Sequence, residues 1–515
     1  MQDGTDIIFV QTDQLTPSVL RAYGDPVCHA PQIEALAGEG VVFEEAYCNF
    51  PLCAPSRMSM ATGRLASRVG AYDNGADLPA STPTYAHFLR ALGYRTCLSG
   101  KMHFVGPDQL HGFEERLTPD IYPSDFLWSA DWEAKGHADA TDARMLDVSG
   151  PCARTVQMDY DELVTARAVR RIYDAAREAD ERPLFMHVSY THPHDPYLCT
   201  QDHWDLYRPN SNNGLDGLAV PMPAVMDIAA EDRDPHSLAL LRQHGLLDHA
   251  VDPEKVQRAR RAYYGAVSFI DDQIGQIRAA LRATGREDRT ILVFSSDHGD
   301  MLGERGMWLK KTFFENALRI PLIVHAPARF APSRVPDPVS LIDLLPTLVD
   351  FAGGSIDALA VEPLDGKSLA PACRGEAVEG RDVVAELLSE GTPAPAFMIR
   401  RGRFKYTHCA AFPDQLYDLT ADPTEMHNLA DNPAHADRVE TFRRDVATRW
   451  DVERLEADIR LSQRRRKFVA DAMAKGRRTS WDYVPAENDS AWFRGQCGYN
   501  DWAFDRVPLP GKDHA

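Results

Sequence analysis

Four short apolar runs in this chain each end in side chains that bind cations or move protons. Ile7-Ile8-Phe9-Val10 leads to Asp13 and Gln14, and Tyr94-Arg95-Thr96-Cys97-Leu98 to Lys101 and His103. Leu184-Phe185-Met186-His187-Val188 leads to His192 and His194, and Ile291-Leu292-Val293-Phe294 to Asp297, His298 and Asp300. Asp13, Asp297 and His298 offer hard oxygens and a borderline nitrogen, a set that suits a divalent cation and leaves Ca²⁺ and Mn²⁺ both open. Gln14 adds a weak carbonyl donor. A capped, solvated loop explains any one cluster, and His192 in particular. Four clusters at equivalent strand ends point instead to one site, because ligands of open α/β sheets bind beyond the carboxyl ends of the strands.

The sharpest signal is Pro51-Leu52-Cys53-Ala54-Pro55-Ser56-Arg57, continuing to Thr62-Gly63-Arg64. Cys53 stands just before a short expected helix, with Ser56 placed to cap it and Gly63 to end it. Helix amides there favour negative charge, the setting of a reactive thiolate. The plainer reading of any one cysteine is a buried structural thiol.

Positioning these residues requires an α/β fold with a large mixed, mostly parallel sheet flanked by helices, because apolar runs alternate with helical patterns over the first 350 residues or so. One helix starts at Asp252-Pro253, repeats Val267, Ile270, Ile274, Ile277 and Leu281, and stops at Gly285. A second is expected over Ser340 to Phe351, bent at Pro346. Residues 209–252 read as a surface insertion. Residues 1–375 are assigned to the catalytic domain. Residues 376–450 form a smaller C-terminal α+β domain on an antiparallel sheet, with strands around Phe404 and Leu416. Residues 451–515 make a helix and a tail that packs on another subunit, so a homo-oligomer (dimer or tetramer) is expected.

The 515 residues carry a net charge of −20, which argues against a nucleic-acid partner. An acidic protein that handles an anion must reverse the field locally with a metal and a few cationic side chains. No apolar run reaches membrane-spanning length. The polar, acidic N-terminus gives the expectation of a cytoplasmic protein. The nine dispersed cysteines suggest reduced thiols.

Cys53 to Arg57 followed by Thr62-Gly63-Arg64 resembles the signature of type I sulfatases in the alkaline phosphatase superfamily. In that family a maturation enzyme oxidises the cysteine to formylglycine, which hydrates to a geminal diol. One hydroxyl attacks sulfur, and the other later ejects sulfate by rebuilding the aldehyde. The resemblance implies a formylglycine derived from Cys53, a formylglycine-generating maturation enzyme as partner, and a metal held by Asp13, Cys53, Asp297 and His298. Arg57 would orient the diol, Lys101 would contact substrate oxygens, and His103 would assist collapse of the hemiacetal. His194 in His-Asp-Pro-Tyr and Lys310 would hold the sulfate and protonate the leaving oxygen. Asn74 matches a polar active-site position.

Gln after Asp13 and His after Asp297 resemble the branch containing choline sulfatases and phosphonate monoester hydrolases. Tyr94 to Leu117, Thr191 to Tyr197 and Asp297 to Glu304 are similar to choline sulfatase in particular, which implies that Trp128 and Glu386 hold a quaternary ammonium. Two departures count against a cation. Arg144-Met145 stands near where choline sulfatases carry a histidine, and Gln496 to Asn500 lack the acid that closes the choline site from a neighbouring subunit. The expectation is therefore a sulfatase for small aryl or alkyl sulfate esters, with choline sulfatase as the alternative. A phosphonate monoester or phosphodiester hydrolase with the same nucleophile is a further alternative, and a non-catalytic anion-binding protein a more distant one.

Overall fold

A computed structural model describes residues 4–133, 144–208, 219–247, 251–378, 380–477 and 479–484. The main sheet has eight strands: β1 (Asp6–Thr12), β2 (Val41–Phe43), β3 (Arg95–Gly100), β4 (Glu115–Arg116), β5 (Leu184–Ser189), β6 (Thr290–Ser296), β7 (Leu322–His325) and β8 (Ser333–Val335). Their order across the sheet is β8-β2-β7-β6-β1-β5-β3-β4. Pairing is parallel except on both sides of β7. The four strands with reactive ends are thus the contiguous parallel block β6-β1-β5-β3, and their carboxyl ends open on one edge.

Those strands read as unbroken apolar runs because helices cover both faces of the sheet. Ile7, Phe9, Ile291 and Val293 face one core, shared with Met58 and Met60. Ile8, Val10, Leu292 and Phe294 face the other, shared with Ile270, Ile274 and Ile277 of the long helix. That helix, Pro253–Ala283, is capped by Asp252, whose carboxylate accepts from Glu254 N at 2.9 Å, and Gly285 follows at φ 65°. Pro346 does not bend its helix. The α-helix begins only at Leu344, after a Ser340/Asp343 capping box and a 3-10 turn, so Pro346 sits in the first turn, where its missing N–H costs nothing.

The C-terminal antiparallel sheet holds β9 (Val383–Leu387), β10 (Ala396–Arg401), β11 (Phe404–Cys409) and β12 (Phe412–Asp418) in sequential order. Asn49 clamps its first strand, accepting nothing from Glu386 through its side chain but receiving Glu386 N on its carbonyl at 2.8 Å and donating Nδ2 to Val384 O at 2.8 Å. The charged stretch after residue 434 is two helices, broken at Trp450-Asp451; the second spans Val452–Met473. Trp481 beyond it packs edge-on against Phe126. The tail residues Trp492, Trp502 and Gln496 to Asn500 lie outside the described residues. None of the described cysteines is in a disulfide, and no described helix is long and apolar enough to cross a membrane.

Gly100 ends β3 immediately before Lys101, at φ 116°, and a Cβ there would lie 1.9 Å from Ser189 O on β5. Neither the backbone conformation nor the contact tolerates a side chain. Gly100→Ala is expected to destabilise the fold by about 3 kcal/mol or more in urea unfolding; a change under about 1 kcal/mol would contradict this packing.

Candidate active site

The helix carrying the nucleophile segment spans Cys53–Thr62 and starts at Cys53 itself, three residues before the expected cap. Asn74 Oδ1 takes the Ala54 amide at 3.0 Å. Ser56 therefore sits inside the first turn and donates its hydroxyl to the Asp297 carbonyl at 2.5 Å instead of capping. Gly63 ends the helix at φ 65°, as expected. Cys53 Sγ lies 3.2 Å from His298 Nε2 and 3.7 Å from Asp13 Oδ1.

One turn along, Arg57 is fully buried and fans its guanidinium across four strand ends. It donates to Asp13 Oδ2 at 3.0 Å, Asp297 Oδ2 at 2.8 Å, Ser189 Oγ at 2.8 Å and the Lys101 carbonyl at 2.7 Å. Lys101 also pairs with Asp13 Oδ2. Burial alone would raise the Asp13 pKa, but Lys101, His194, Arg57 and His298 outweigh it and hold the carboxyl well below its ordinary range. Burial works against charge on Lys101, and Asp13 more than compensates, so Lys101 stays a cation.

Ligand atoms of Asp13, Cys53, Asp297 and His298 all lie within 4.8 Å of one another. His298 Nδ1 is 2.9 Å from the Gly299 carbonyl; donation there fixes the tautomer and leaves Nε2 as an acceptor toward Cys53. Two buried carboxylates and an imidazole nitrogen on one point suit a divalent cation. Gln14 does not present its carbonyl to that group. Its amide N–H binds Asp297 Oδ1 at 3.0 Å, its Nε2 binds Asp300 Oδ2 at 2.5 Å, and its Oε1 accepts from Lys310.

Lys310 Nζ reaches His194 Nε2 at 2.7 Å, whose Nδ1 lies 2.8 Å from the Asp195 carbonyl. Burial would depress the Lys310 pKa, but Cys53, Asp195 and Asp13 hold it above its ordinary value. His103 adopts φ 58°, a conformation fixed by Asp120, which accepts from Met102 N at 2.9 Å and His103 N at 2.8 Å. Both ring nitrogens of His103 lack a partner among the described residues. Burial, then Lys101, lower its pKa to about 3, so the imidazole is neutral. His192 is structural: Asp161 binds its Nδ1 at 2.6 Å and its amide at 3.0 Å, which anchors the loop presenting His194.

Trp128 packs edge-on to His103 with ring centroids 5.4 Å apart. Tyr122, which the sequence reading overlooked, joins them. Its ring lies 4.8 Å from Trp128 and 4.0 Å below Lys101 Nζ. Only its place in the loop after Lys-x-His could have flagged it. Glu386 needs a correction. It lies on β9, fully buried, with one oxygen accepting from Ser67 N at 2.9 Å and the other from Ser67 Oγ at 2.5 Å and Trp450 Nε1 at 2.6 Å. Its carboxylate is consumed inside the fold. The acid four residues on, Glu390, meets the Asn74 amide at 3.4 Å and Lys311 Nζ at 2.9 Å. Arg144 is exposed at the start of a short helix, and residues 134–143 before it are outside the described residues.

Comparison with known proteins agrees with this geometry. Residues 5–354 match the Sulfatase family, residues 303–450 the C-terminal region of N-sulphoglucosamine sulphohydrolase, and residues 457–502 the C-terminal region of choline sulfatase. The chain is 41% identical to a choline-sulfatase of Rhizobium meliloti (strain 1021), over 94% of each chain. It is 27% identical to an arylsulfatase of Clostridium perfringens, over 85% of this chain and 93% of that one. Among solved structures, the phosphonate monoester hydrolase of Silicibacter pomeroyi superposes with a TM-score of 0.69 at 26% identity, covering 86% of this chain and 95% of the other. With the matched segment spanning strands β1 to β8 and including Asp13, Cys53, Asp297 and His298, the chain belongs to the sulfatase family and is a sulfuric ester hydrolase of the alkaline phosphatase superfamily.

Proposed function

We propose that the preferred substrate is a small sulfate ester bearing a quaternary ammonium group, choline sulfate, hydrolysed to the alcohol and sulfate. The observation that carries this reading is the half-buried pair Tyr122 and Trp128 against His103, an aromatic face of the kind that attracts a desolvated cation. Glu390, beside Asn74, is the carboxylate for the same cation in place of Glu386. The likeness to a choline-sulfatase supports this order over aryl or alkyl sulfates, which the sequence alone had put first. Hydrolysis of phosphonate monoesters is the second reading, favoured by the structural similarity to a phosphonate monoester hydrolase.

Cys53 is the precursor of formylglycine, made by a formylglycine-generating maturation enzyme. When present, the hydrated aldehyde supplies the hydroxyl that attacks sulfur and, on losing a proton from its second hydroxyl, the means to release sulfate without water attacking sulfur. A divalent cation, Ca²⁺ or Mn²⁺, would be held by Asp13, Asp297, His298 and residue 53, where it would polarise the sulfate oxygens and acidify the nucleophilic hydroxyl. Arg57 orients residue 53 through the carboxylates it binds. Lys101 and Lys310 face the sulfate oxygens, where charge grows in the transition state. Lys310 Nζ lies 2.7 Å from His194 Nε2, and that pair delivers a proton to the leaving oxygen. Neutral His103, with no other hydrogen-bond duty, takes the proton from the second hydroxyl. The protein works in the cytoplasm as a homo-oligomer on this reading.

Cys53→Ala is expected to lower kcat for nitrophenyl sulfate by about 10³-fold or more; unchanged turnover would exclude covalent catalysis at this residue. Chelation should abolish activity, and titrating Ca²⁺ against Mn²⁺ into the stripped enzyme identifies the cation by the lower restoring concentration. Choline sulfate should exceed nitrophenyl sulfate and a phenyl phosphonate monoester in kcat/KM by roughly tenfold or more, and Trp128→Ala should cost it about tenfold. A higher value for the phosphonate would favour the second reading instead.

A further inference from the structure

We propose that Arg466 is a positioning residue for sulfate ester hydrolysis, a single guanidinium on the C-terminal helix that fixes both Asn74 behind the nucleophile and Trp128 at the mouth. Arg466 is buried, with its NH1 2.5 Å from Asp73 Oδ1 and its NH2 2.8 Å from Asp73 Oδ2. The same NH1 donates to Ser129 Oγ at 2.9 Å. This fork is complete, because Asp73 also accepts from Gly75 N and from Ser389 Oγ at 3.0 Å each.

Two arms leave the clasp. One runs from Asp73 to its neighbour Asn74, whose Oδ1 holds the Ala54 amide in the first turn of the nucleophile helix and whose own amide faces Glu390. The other runs from Ser129 to Trp128. The two arms press together at Gly75, where a Cβ would lie 2.3 Å from Ser129 N and 2.6 Å from the Trp128 carbonyl carbon. The turn over residues 73–75 and the tryptophan loop therefore have no room to shift independently. Gln463, one turn before Arg466, adds a bond from Trp132 N at 3.1 Å, and Trp132 Nε1 binds the Ser389 carbonyl at 3.0 Å. A planar fork meets a carboxylate and a hydroxyl at once, which a lysine ammonium cannot reproduce.

The inference rests on the reading of residues 13 to 310 as the hydrolytic centre, and on no particular alcohol. The test compares kcat and KM for nitrophenyl sulfate in matured full-length R466M, R466K and I459A, each checked as folded by circular dichroism. Ile459 is buried in the apolar core on the same helix and has no side-chain hydrogen bond to lose, so I459A reports loss of helix anchoring by packing. R466M is expected to lose about tenfold or more in kcat through the Asn74 arm and to raise KM through the Trp128 arm. R466K should recover less than half of that loss, added guanidinium should restore R466M further, and I459A should stay within about twofold of wild type. Should R466M fail to fold, R466K carries the same comparison against I459A. Wild-type constants in R466M or R466K, or an equal loss in I459A, overturn the proposal. A wild-type enzyme with no turnover of any sulfate ester would instead overturn the reading of the centre.

Discussion

The site depends on the buried guanidinium of Arg57. Parallel strands β6, β1 and β5 bring Asp13 and Asp297 close together in a place without solvent, where two unpaired carboxylates would repel strongly and be costly to desolvate. Arg57 reaches both, and it spends its remaining donors on Ser189 and the Lys101 carbonyl at two further strand ends. One side chain thus ties the nucleophile helix to four elements of the sheet. A divalent ion held by Asp13 and Asp297 would share these two acids with the guanidinium. The guanidinium fixes the two acids in direction before any substrate arrives.

The parts legible in the sequence were those set by long, regular burial. The runs Ile7 to Val10 and Ile291 to Phe294 announced central strands because both of their faces are covered. Cys53 to Arg57 announced the sulfatase family because its residue types are unusual at that spacing. The misreadings came from local detail. Ser56 reads as a cap, yet the helix begins at Cys53, because the Ala54 amide already has Asn74. Glu386 and Glu390 differ by four residues in an acidic stretch, and only strand β9 and its end decide which one is buried against Trp450 and which meets Asn74. Tyr122 lies in a loop without periodicity. Arg466 sits in a run of arginines that reads as a solvated face, although Leu455, Ile459, Gln463 and Arg466 recur at helical spacing and all are buried. That stripe was the available signal, hidden because half of it is polar.

The small C-terminal sheet contributes more than a cover. Its residues share one apolar core with Phe50 and Leu52, directly before the nucleophile. Asn49 joins β9 and the Ser340 turn by hydrogen bonds from one amide side chain. The segment ahead of Cys53 is therefore held from the C-terminal sheet, and the helix after it is held from the main sheet. Position 53 lies at the seam of two structures whose residues are hundreds of positions apart.

The cations of this centre are all interior, while the chain as a whole carries a charge of −20. Asp13, Asp297 and Asp195 balance Arg57, Lys101 and Lys310 one for one at close range, so the net positive charge of a loaded centre would be that of its divalent ion. Far from the centre an incoming monoanion meets the net negative charge of the whole chain, which dissolved salt screens, and the pull of the centre's ion would take over close in. A zwitterion has no net charge to be repelled and is free to turn its positive end outward on the way in. The outer charge of the chain thus bears on an anionic ester and leaves a net-neutral one indifferent.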